Sequence, residues 1–265
     1  MTRPAFIVGW GRIDRAGAAG VGGVRLESAA LLRATGSIRW PAVLGDAPDR
    51  FGRLDTFCRT ALLAAALARP RPSAEGESLR RTALVFVTSH GVVDTDVAFI
   101  DSIQAVGGAS PALFPLTLTS TAMGLVSMQH RITGPGLCLP AGRNAGALMV
   151  AEALRFLAMS EADHCLCLYC DAVSREVAER LRPHGQEAVS WHGIQGAALM
   201  LTNTPPLGPH RLGITASAPK GEPGPSDLHP NRLLRHVETA DQSAAICPPL
   251  HLNAGAAGYI LTKVD

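Results

Sequence analysis

The chain has 265 residues, of which 47% are hydrophobic and 17% are charged, which is enough apolar material for one sizeable buried core. Its formal net charge is +2 and its arginines are scattered, so no basic stripe indicates a nucleic-acid partner. No apolar run reaches the roughly 18 residues that a membrane span needs, and the first residues lack the apolar stretch of a secretory signal. We therefore expect a cytoplasmic protein without a membrane span.

Predicted strands and helices begin near the N-terminus. The apolar run at 6–11 predicts an opening strand that ends at its glycines. Residues 51–68 are rich in helix formers and stop before Pro70, so we predict a buried helix there. Residues 82–88, TALVFVT, are apolar and β-branched throughout, which is typical of a strand covered on both faces. A glycine-containing polar loop is expected after this strand.

The same alternation continues through the middle of the chain. Short apolar runs predict strands at 137–139, 165–170 and 197–201, and a helical pattern covers 145–159. Strands that alternate with helices in this way predict an α/β layered sheet.

Proline and glycine become frequent from about residue 204, as in TPPLGPHRLG and APKGEPGPSDLHP. This composition favours the end of regular structure, and one final strand is predicted at 259–264. We therefore divide the chain into a domain over residues 1–203 and a tail rich in proline and glycine over residues 204–265.

Three of the six cysteines lie close together, at Cys165, Cys167 and Cys170, which raises the question of a metal site or a disulfide. Cys165 and Cys167 share one face of a predicted strand, where free cysteine behaves as a small hydrophobic residue. No second CxxC and no histidine pair stands at the usual zinc spacing. We predict buried cysteines without a metal, and no cofactor.

Five segments resemble, in order, the N-terminal half of the β-ketoacyl synthases of the thiolase-like superfamily. These segments are FIVGWGRIDRAG, DRFGRLDTFCRTALLAAALA, SPALFPLTLTSTAMGLVSMQHRITGPG, ADHCLCLYCDAVS and HGIQGAALMLTN, and they span residues 5–203. The resemblance implies a thiolase-like layered α/β fold, with the ketosynthase N-terminal half followed by a reduced C-terminal part.

The nucleophile position of that family falls on an arginine. In the family a Thr-Ala-Cys-x-Ser-Gly turn places the catalytic cysteine at the start of a helix. Aligning Gly134-Pro135 and Gly146 with the family's glycines puts Arg143 at the cysteine position. A helix N-terminus favours a thiolate, whereas arginine stays protonated and cannot act as the nucleophile. The resemblance therefore implies that this chain has no catalytic residue of its own.

Complete ketosynthases also carry two catalytic histidines in a second half, which here is absent or reduced to the tail. The tail histidines fit no motif that aligns with that pair; they are His210, His229, His236 and His251. A displaced nucleophile at Cys138 is the alternative, although this residue lies before the turn, away from the helix terminus that lowers a thiol pKa. We expect no enzyme activity from the chain by itself.

The resemblance implies a subunit of a condensing enzyme. Ketosynthase-like proteins without the cysteine pair with an active ketosynthase as chain-length factors in polyketide, aryl polyene or fatty-acyl chain elongation. They meet the acyl carrier protein through that complex. Glutamine often fills the cysteine position in such proteins, so Arg143 is a departure from the pattern. A homodimeric acyl-binding or scaffold protein of the same fold is the alternative.

A dimer strand follows from the same resemblance. In thiolase-like proteins the strand before the nucleophile pairs with its mate across the dimer axis. This assigns Leu137, Cys138 and Leu139 to a subunit interface. The strand edge and its apolar residues would be uncovered in a monomer, so we expect poor solubility or stability of the chain alone.

The resemblance also implies a tunnel for the growing chain at the subunit interface, lined by the block from Phe114 to Met128. Phe114, Met123 and Met128 are the candidate lining residues, because bulky or adaptable apolar side chains limit how far an acyl chain extends. Ordinary core packing is the alternative for these three residues.

Overall fold

The described parts of the chain form one mixed sheet of ten strands. The computed structural model describes residues 5–31, 38–68, 81–142, 144–181, 192–205, 211–217, 229–242, 250–254 and 257–264. The strands are β1 (Ala5–Asp14), β2 (Gly17–Gly20), β3 (Val24–Glu27), β4 (Thr82–Thr88), β5 (Gly136–Pro140), β6 (His164–Val173), β7 (Gly193–Thr202), β8 (Arg211–Ser217), β9 (Leu250–Ala254) and β10 (Ala257–Val264). Their order is β5-β4-β6-β7-β1-β8-β10-β9, with β2 on β1 and β3 on β2. Strands β5, β4 and β6 are parallel, and the other pairs are antiparallel.

Helices cover both faces of this sheet. They are α1 (Ser28–Leu31), α2 (Thr56–Ala68), α3 (Val93–Val106), α4 (Thr119–His130), α5 (Ala145–Ala158), α6 (Arg175–Leu181) and α7 (Pro230–Gln242). The cores on the two faces alternate along each strand: in β4, Val85 packs on the α5 and α7 side and Phe86 on the α2 and α4 side. The predicted α/β layered fold is therefore confirmed. No helix in the described ranges has the length and apolar character needed to cross a membrane.

Helix α2 packs directly on β1. Asp55 caps its first turn, since the Cys58 N–H donates to Asp55 Oδ1 at 2.7 Å. A side chain at Gly11 would place its Cβ 2.6 Å from the Cβ of Leu67, so glycine allows the helix to approach closely. The prediction that the opening strand ends at its glycines is wrong, because β1 continues through Gly11 to Asp14.

The later elements agree with the sequence patterns. The predicted strands at 82–88, 137–139, 165–170 and 197–201 are confirmed as β4, β5, β6 and β7, and the helix at 145–159 is confirmed as α5. Cys165, Cys167 and Cys170 are all fully buried in β6, as predicted. The described residues bring together no group of three or more potential metal ligands.

The tail holds more regular structure than its proline and glycine content predicts. Besides the predicted last strand, which is β10, it forms β8, α7 and β9. Strand β8 pairs with β1 and β10, so it continues the same sheet. Helix α7 buries Leu233, Leu234 and Val237 in the core on the α5 side. The prediction of a single strand after residue 204 is therefore wrong. These elements are stabilised by packing on the sheet, which the local composition does not reveal.

Charged side chains reinforce the contact between α7 and β1. Arg12 donates to Glu238 through Nε and Nη2 at 3.2 and 3.1 Å, and it also pairs with Asp14. Arg235 binds Asp14 at 2.9 Å and Arg25 binds Glu238 at 3.1 Å. Arg12, Asp14 and Glu238 are mostly buried, so each depends on its partners for compensation of its charge.

Candidate functional site

The three parallel strands have their carboxyl ends on the same side of the sheet. Thr88 at the end of β4 is in register with Pro140 at the end of β5, and the Ala141 N–H donates to the Thr88 carbonyl at 2.8 Å. Strand β6 continues past this point to Val173. We call residues 88–91, 141–142, 144 and 169–171 the carboxyl edge. Binding and catalytic groups commonly gather at the carboxyl ends of parallel strands.

A fully buried carboxylate, Asp171, lies at the centre of the carboxyl edge. Its Oδ1 accepts from Thr88 Oγ1 at 2.6 Å and from the Ser89 and His90 N–H groups at 3.1 and 3.0 Å. Its Oδ2 accepts from His90 Nδ1 at 2.9 Å and from the Tyr169 hydroxyl at 2.6 Å. Burial favours a raised pKa for Asp171, but the hydrogen bonds from His90, Thr88 and Tyr169 outweigh it and lower the pKa. Asp171 is therefore ionised at neutral pH.

The neighbours of Asp171 keep complementary protonation states. Its hydrogen bond to His90 raises the pKa of that imidazole, although burial of the ring acts against this. Burial first, and then the charge of Asp171, raise the pKa of Tyr169, so its hydroxyl stays protonated as a donor. Ser89 Oγ and His229 Nε2 lie 3.3 and 3.4 Å from the same hydroxyl, and the His229 ring contacts the Tyr169 ring edge-on. The network thus joins β4, β6 and the residue before α7.

Protonation of His90 is expected to stabilise the fold. Since its folded-state pKa lies above 6.5, the contribution is fully present below that unfolded-state value and is lost as the pH rises through the folded pKa. The contribution also requires an ionised Asp171, whose folded pKa lies below 3.8, so it is lost only in stronger acid. The melting temperature of the wild type should therefore exceed that of His90→Asn by the largest amount between about pH 4 and 6.5. A difference in melting temperature that does not change with pH would contradict a stabilising role for protonated His90.

Arg143, the residue at the predicted nucleophile position, lies outside the described residues. Its neighbours Gly142 and Asn144 are exposed and lie between the end of β5 and the start of α5. Helix α5 begins at Ala145 and has 14 residues, so a long helix starts directly after Asn144.

Cys138, the predicted alternative nucleophile, lies within β5 and not at the turn. It is half-buried and packs against the core on the α2 side. Burial raises the pKa of its thiol, which disfavours the reactive thiolate.

The predicted dimer strand forms one edge of the sheet, because β5 is the first strand in the order and pairs with β4. Leu137 and Leu139 are half-buried and pack against the core on the α5 side, and Cys138 packs on the opposite face. Within the described residues no strand lies on the outer edge of β5.

The predicted tunnel residues lie in different surroundings. Phe114 is 58% exposed in a short 3₁₀ helix, Phe114–Thr117, and its ring centre lies 6.0 Å from that of Phe99. Met123 is half-buried, and its methyl group approaches Gly136 of β5. Met128 is 77% exposed. Five residues along an α-helix correspond to a rotation of about 140°, so Met123 and Met128 face different directions.

Sequence reasoning missed several large exposed apolar side chains on and around helix α3. Ile100 and Ile103 on α3 are 49% and 41% exposed, and Leu118 at the start of α4 is 55% exposed. We call these three residues and Phe114 the apolar patch, because α3 and α4 both pack against the 3₁₀ helix that carries Phe114. Isoleucines three residues apart in a segment with several polar residues were the available signal.

The four tail histidines have different positions. His229 joins the Asp171 network through Tyr169. His236 lies on α7, where burial and then Arg232 lower its pKa, and His251 lies in β9. His210 lies outside the described residues.

Comparison with known proteins identifies the family. Residues 53–203, more than half of the chain, match the sequence model described as the N-terminal domain of β-ketoacyl synthases. The chain belongs to the β-ketoacyl synthase family. No curated protein matches it by sequence.

Solved structures of ketosynthases share the fold of this family member. A chain of the complex of the ketosynthase ApeO with its chain length factor ApeC, from Xenorhabdus doucetiae, matches with a TM-score of 0.63 and 12% identity, covering 98% of this chain and 99% of that one. The ishigamide ketosynthase/chain length factor matches with a TM-score of 0.57 and 17% identity, covering 81% of this chain and 67% of that one. The third structure is the complex AntDE:AntF, a type II polyketide synthase acyl-carrier protein with its ketosynthase bound to the hexaketide. It matches with a TM-score of 0.56 and 15% identity, covering 83% of this chain and 70% of that one.

Proposed function

We propose that this chain is a non-catalytic subunit, a chain-length factor, that pairs with an active β-ketoacyl synthase in polyketide, aryl polyene or fatty-acyl chain elongation. The proposal depends on the sequence alignment that puts Arg143 at the position of the catalytic cysteine, in a chain that belongs to the family. A guanidinium remains protonated and cannot accept an acyl group from a carrier. Two of the similar solved structures are complexes that contain a chain length factor, which supports the same role.

Features of the surface support a heterodimer. The outer edge of β5 has backbone groups directed away from the sheet, and an uncovered strand edge is suited to pairing with another strand. The apolar patch adds Ile100, Phe114 and Leu118 as large exposed apolar side chains on α3, on the 3₁₀ helix and directly before α4. Exposed apolar side chains grouped in this way are typical of surfaces that bind another protein. The acyl carrier protein would meet this chain through the complex.

A homodimeric acyl-binding or scaffold protein is the second candidate, because the same strand edge also suits pairing with a second copy. Enzyme activity through Cys138 is less favoured, since burial raises the pKa of its thiol.

Co-expression with an active ketosynthase and its acyl carrier protein tests the proposal. We expect the tagged chain to retain the ketosynthase in a 1:1 complex by native mass spectrometry, and the complex to extend carrier-bound chains. A stable homodimer that does not bind the ketosynthase would support the scaffold role instead.

Product length gives a further prediction. If the block from Phe114 to Met128 lines a tunnel, Met123→Trp or Met128→Trp should shorten the product and Phe114→Ala should lengthen it. Each buried methylene is worth about 0.8 kcal/mol, so blocking a few carbons of tunnel would change the product ratio several-fold. Intact mass of the carrier-bound product measures this. An unchanged distribution in fully assembled variants would assign these side chains to packing.

A further inference from the structure

We propose that Asp171 is a positioning residue of the complex, whose carboxylate holds the carboxyl edge in the shape at which the partner ketosynthase condenses acyl chains. The inference rests on the proposed function and deepens it. Asp171 itself is fully buried, so it would act through the segments that it holds and not by touching the acyl chain.

Asp171 fixes the loop that follows β4. Three donors from consecutive residues, the Thr88 hydroxyl and the N–H groups of Ser89 and His90, converge on Oδ1. The Thr88 hydroxyl also accepts from the Gly91 N–H at 2.9 Å, which extends the same restraint by one residue. Every backbone N–H from residue 89 to residue 91 is thus tied to Asp171 directly or through Thr88. The position of this loop depends on one carboxylate.

Two segments are linked directly to this loop. The Thr88 carbonyl accepts from the N–H of Ala141, the residue directly after β5. In the other direction the loop leads into α3, which carries Ile100 and Ile103 of the apolar patch. A displacement at residues 88–91 would therefore act on Ala141 through a hydrogen bond and on α3 through the chain itself.

The charge of Asp171 is needed for this arrangement. Its two oxygens accept five hydrogen bonds, from Thr88, Ser89, Tyr169 and both the backbone and the side chain of His90. An asparagine of the same shape has one oxygen acceptor and one NH2 group. The NH2 group would face donors that now bind a carboxylate oxygen, so those hydrogen bonds would be lost. Burying a carboxylate is costly unless donors compensate it, so the site depends on all of its contacts.

The first test compares Asp171→Asn with Asp163→Asn in the reconstituted complex. Asp163 is a half-exposed carboxylate that pairs with Arg81 at the opposite end of β6. We expect both variants to bind the ketosynthase. Asp171→Asn should lower the condensation rate about 10- to 100-fold, the loss typical of small displacements of catalytic geometry. The KM for the acyl carrier substrate should not change, and Asp163→Asn should behave as the wild type.

The second test uses His90, so that the outcome does not depend on the stability of Asp171→Asn. His90→Asn keeps an N–H donor near the position of Nδ1, and His90→Ala removes it. If the link to Asp171 matters, His90→Ala should lower the rate several-fold and His90→Asn should restore most of it, both with unchanged assembly.

Three outcomes would overturn the inference. Wild-type rate and product distribution in assembled Asp171→Asn complexes would show that the carboxylate only supports folding. Equal rates for His90→Asn and His90→Ala would exclude the link through the imidazole. Failure of the wild-type chain to bind any active ketosynthase would remove the proposed function, and the inference with it.

Discussion

Purified alone, the chain is expected to form no carbon–carbon bond between acyl and malonyl carrier substrates. The family's reaction begins with transfer of the acyl group to a thiolate, and Arg143 cannot provide that nucleophile. Cys138 is half-buried in β5 and its thiol has a raised pKa. The rate should therefore lie at least about 1,000-fold below that of the complex, a loss typical of enzymes without their nucleophile.

Two variants locate the nucleophile in the complex. Cys138→Ala in this chain should leave condensation by the complex unchanged, whereas replacement of the partner's active-site cysteine by alanine should abolish it. Product analysis by intact mass of the carrier protein measures both. Condensation by the purified chain alone that survives Cys138→Ala would contradict the assigned role.

The strands of the sheet were predictable because their signal is local. Residues 82–88 are apolar at every position, and the whole of β4 is buried, as a strand covered by helices on both faces requires. Helix α3 was missed, since its first turn contains valine, aspartate and threonine and lacks a side-chain cap. A tertiary contact supports this turn: the Thr95 hydroxyl donates to Asp55 at 2.7 Å. No pattern within 93–106 indicates that contact.

The site was predictable in part. The alignment of glycines on both sides assigns Arg143 to the nucleophile position, and this stays a prediction because Arg143 lies outside the described residues. The Asp171 network could not be predicted, because its donors at residues 88–90 are more than 80 positions away along the chain. The available signal was an aspartate in the apolar run of β6, together with Ser89 and His90 directly after β4. Such polar residues at the ends of buried strands become informative once the strand order is known.

A proline at Cys138 is expected to weaken assembly with the ketosynthase while leaving the β4–β5 pairing intact. The Pro135 carbonyl accepts from the Leu84 N–H, and the Ala141 N–H donates to the Thr88 carbonyl, so odd-numbered residues of this segment face β4. The backbone groups of Cys138 therefore point to the outer edge, where proline is tolerated in the isolated subunit. In a strand pair across the interface, the missing donor leaves a buried acceptor unsatisfied, which costs about 1–3 kcal/mol.

The matched control for this variant is Cys138→Ala, which changes the same side chain and keeps the N–H. We expect Cys138→Ala to bind the ketosynthase normally, and Cys138→Pro to bind about 100-fold more weakly, since the proline ring also opposes close approach of the strands. Titration of the labelled ketosynthase measures the affinity, and thermal melting of each isolated chain checks the fold. Wild-type affinity of a folded Cys138→Pro chain would place the interface elsewhere, with the apolar patch around Phe114 as the remaining surface.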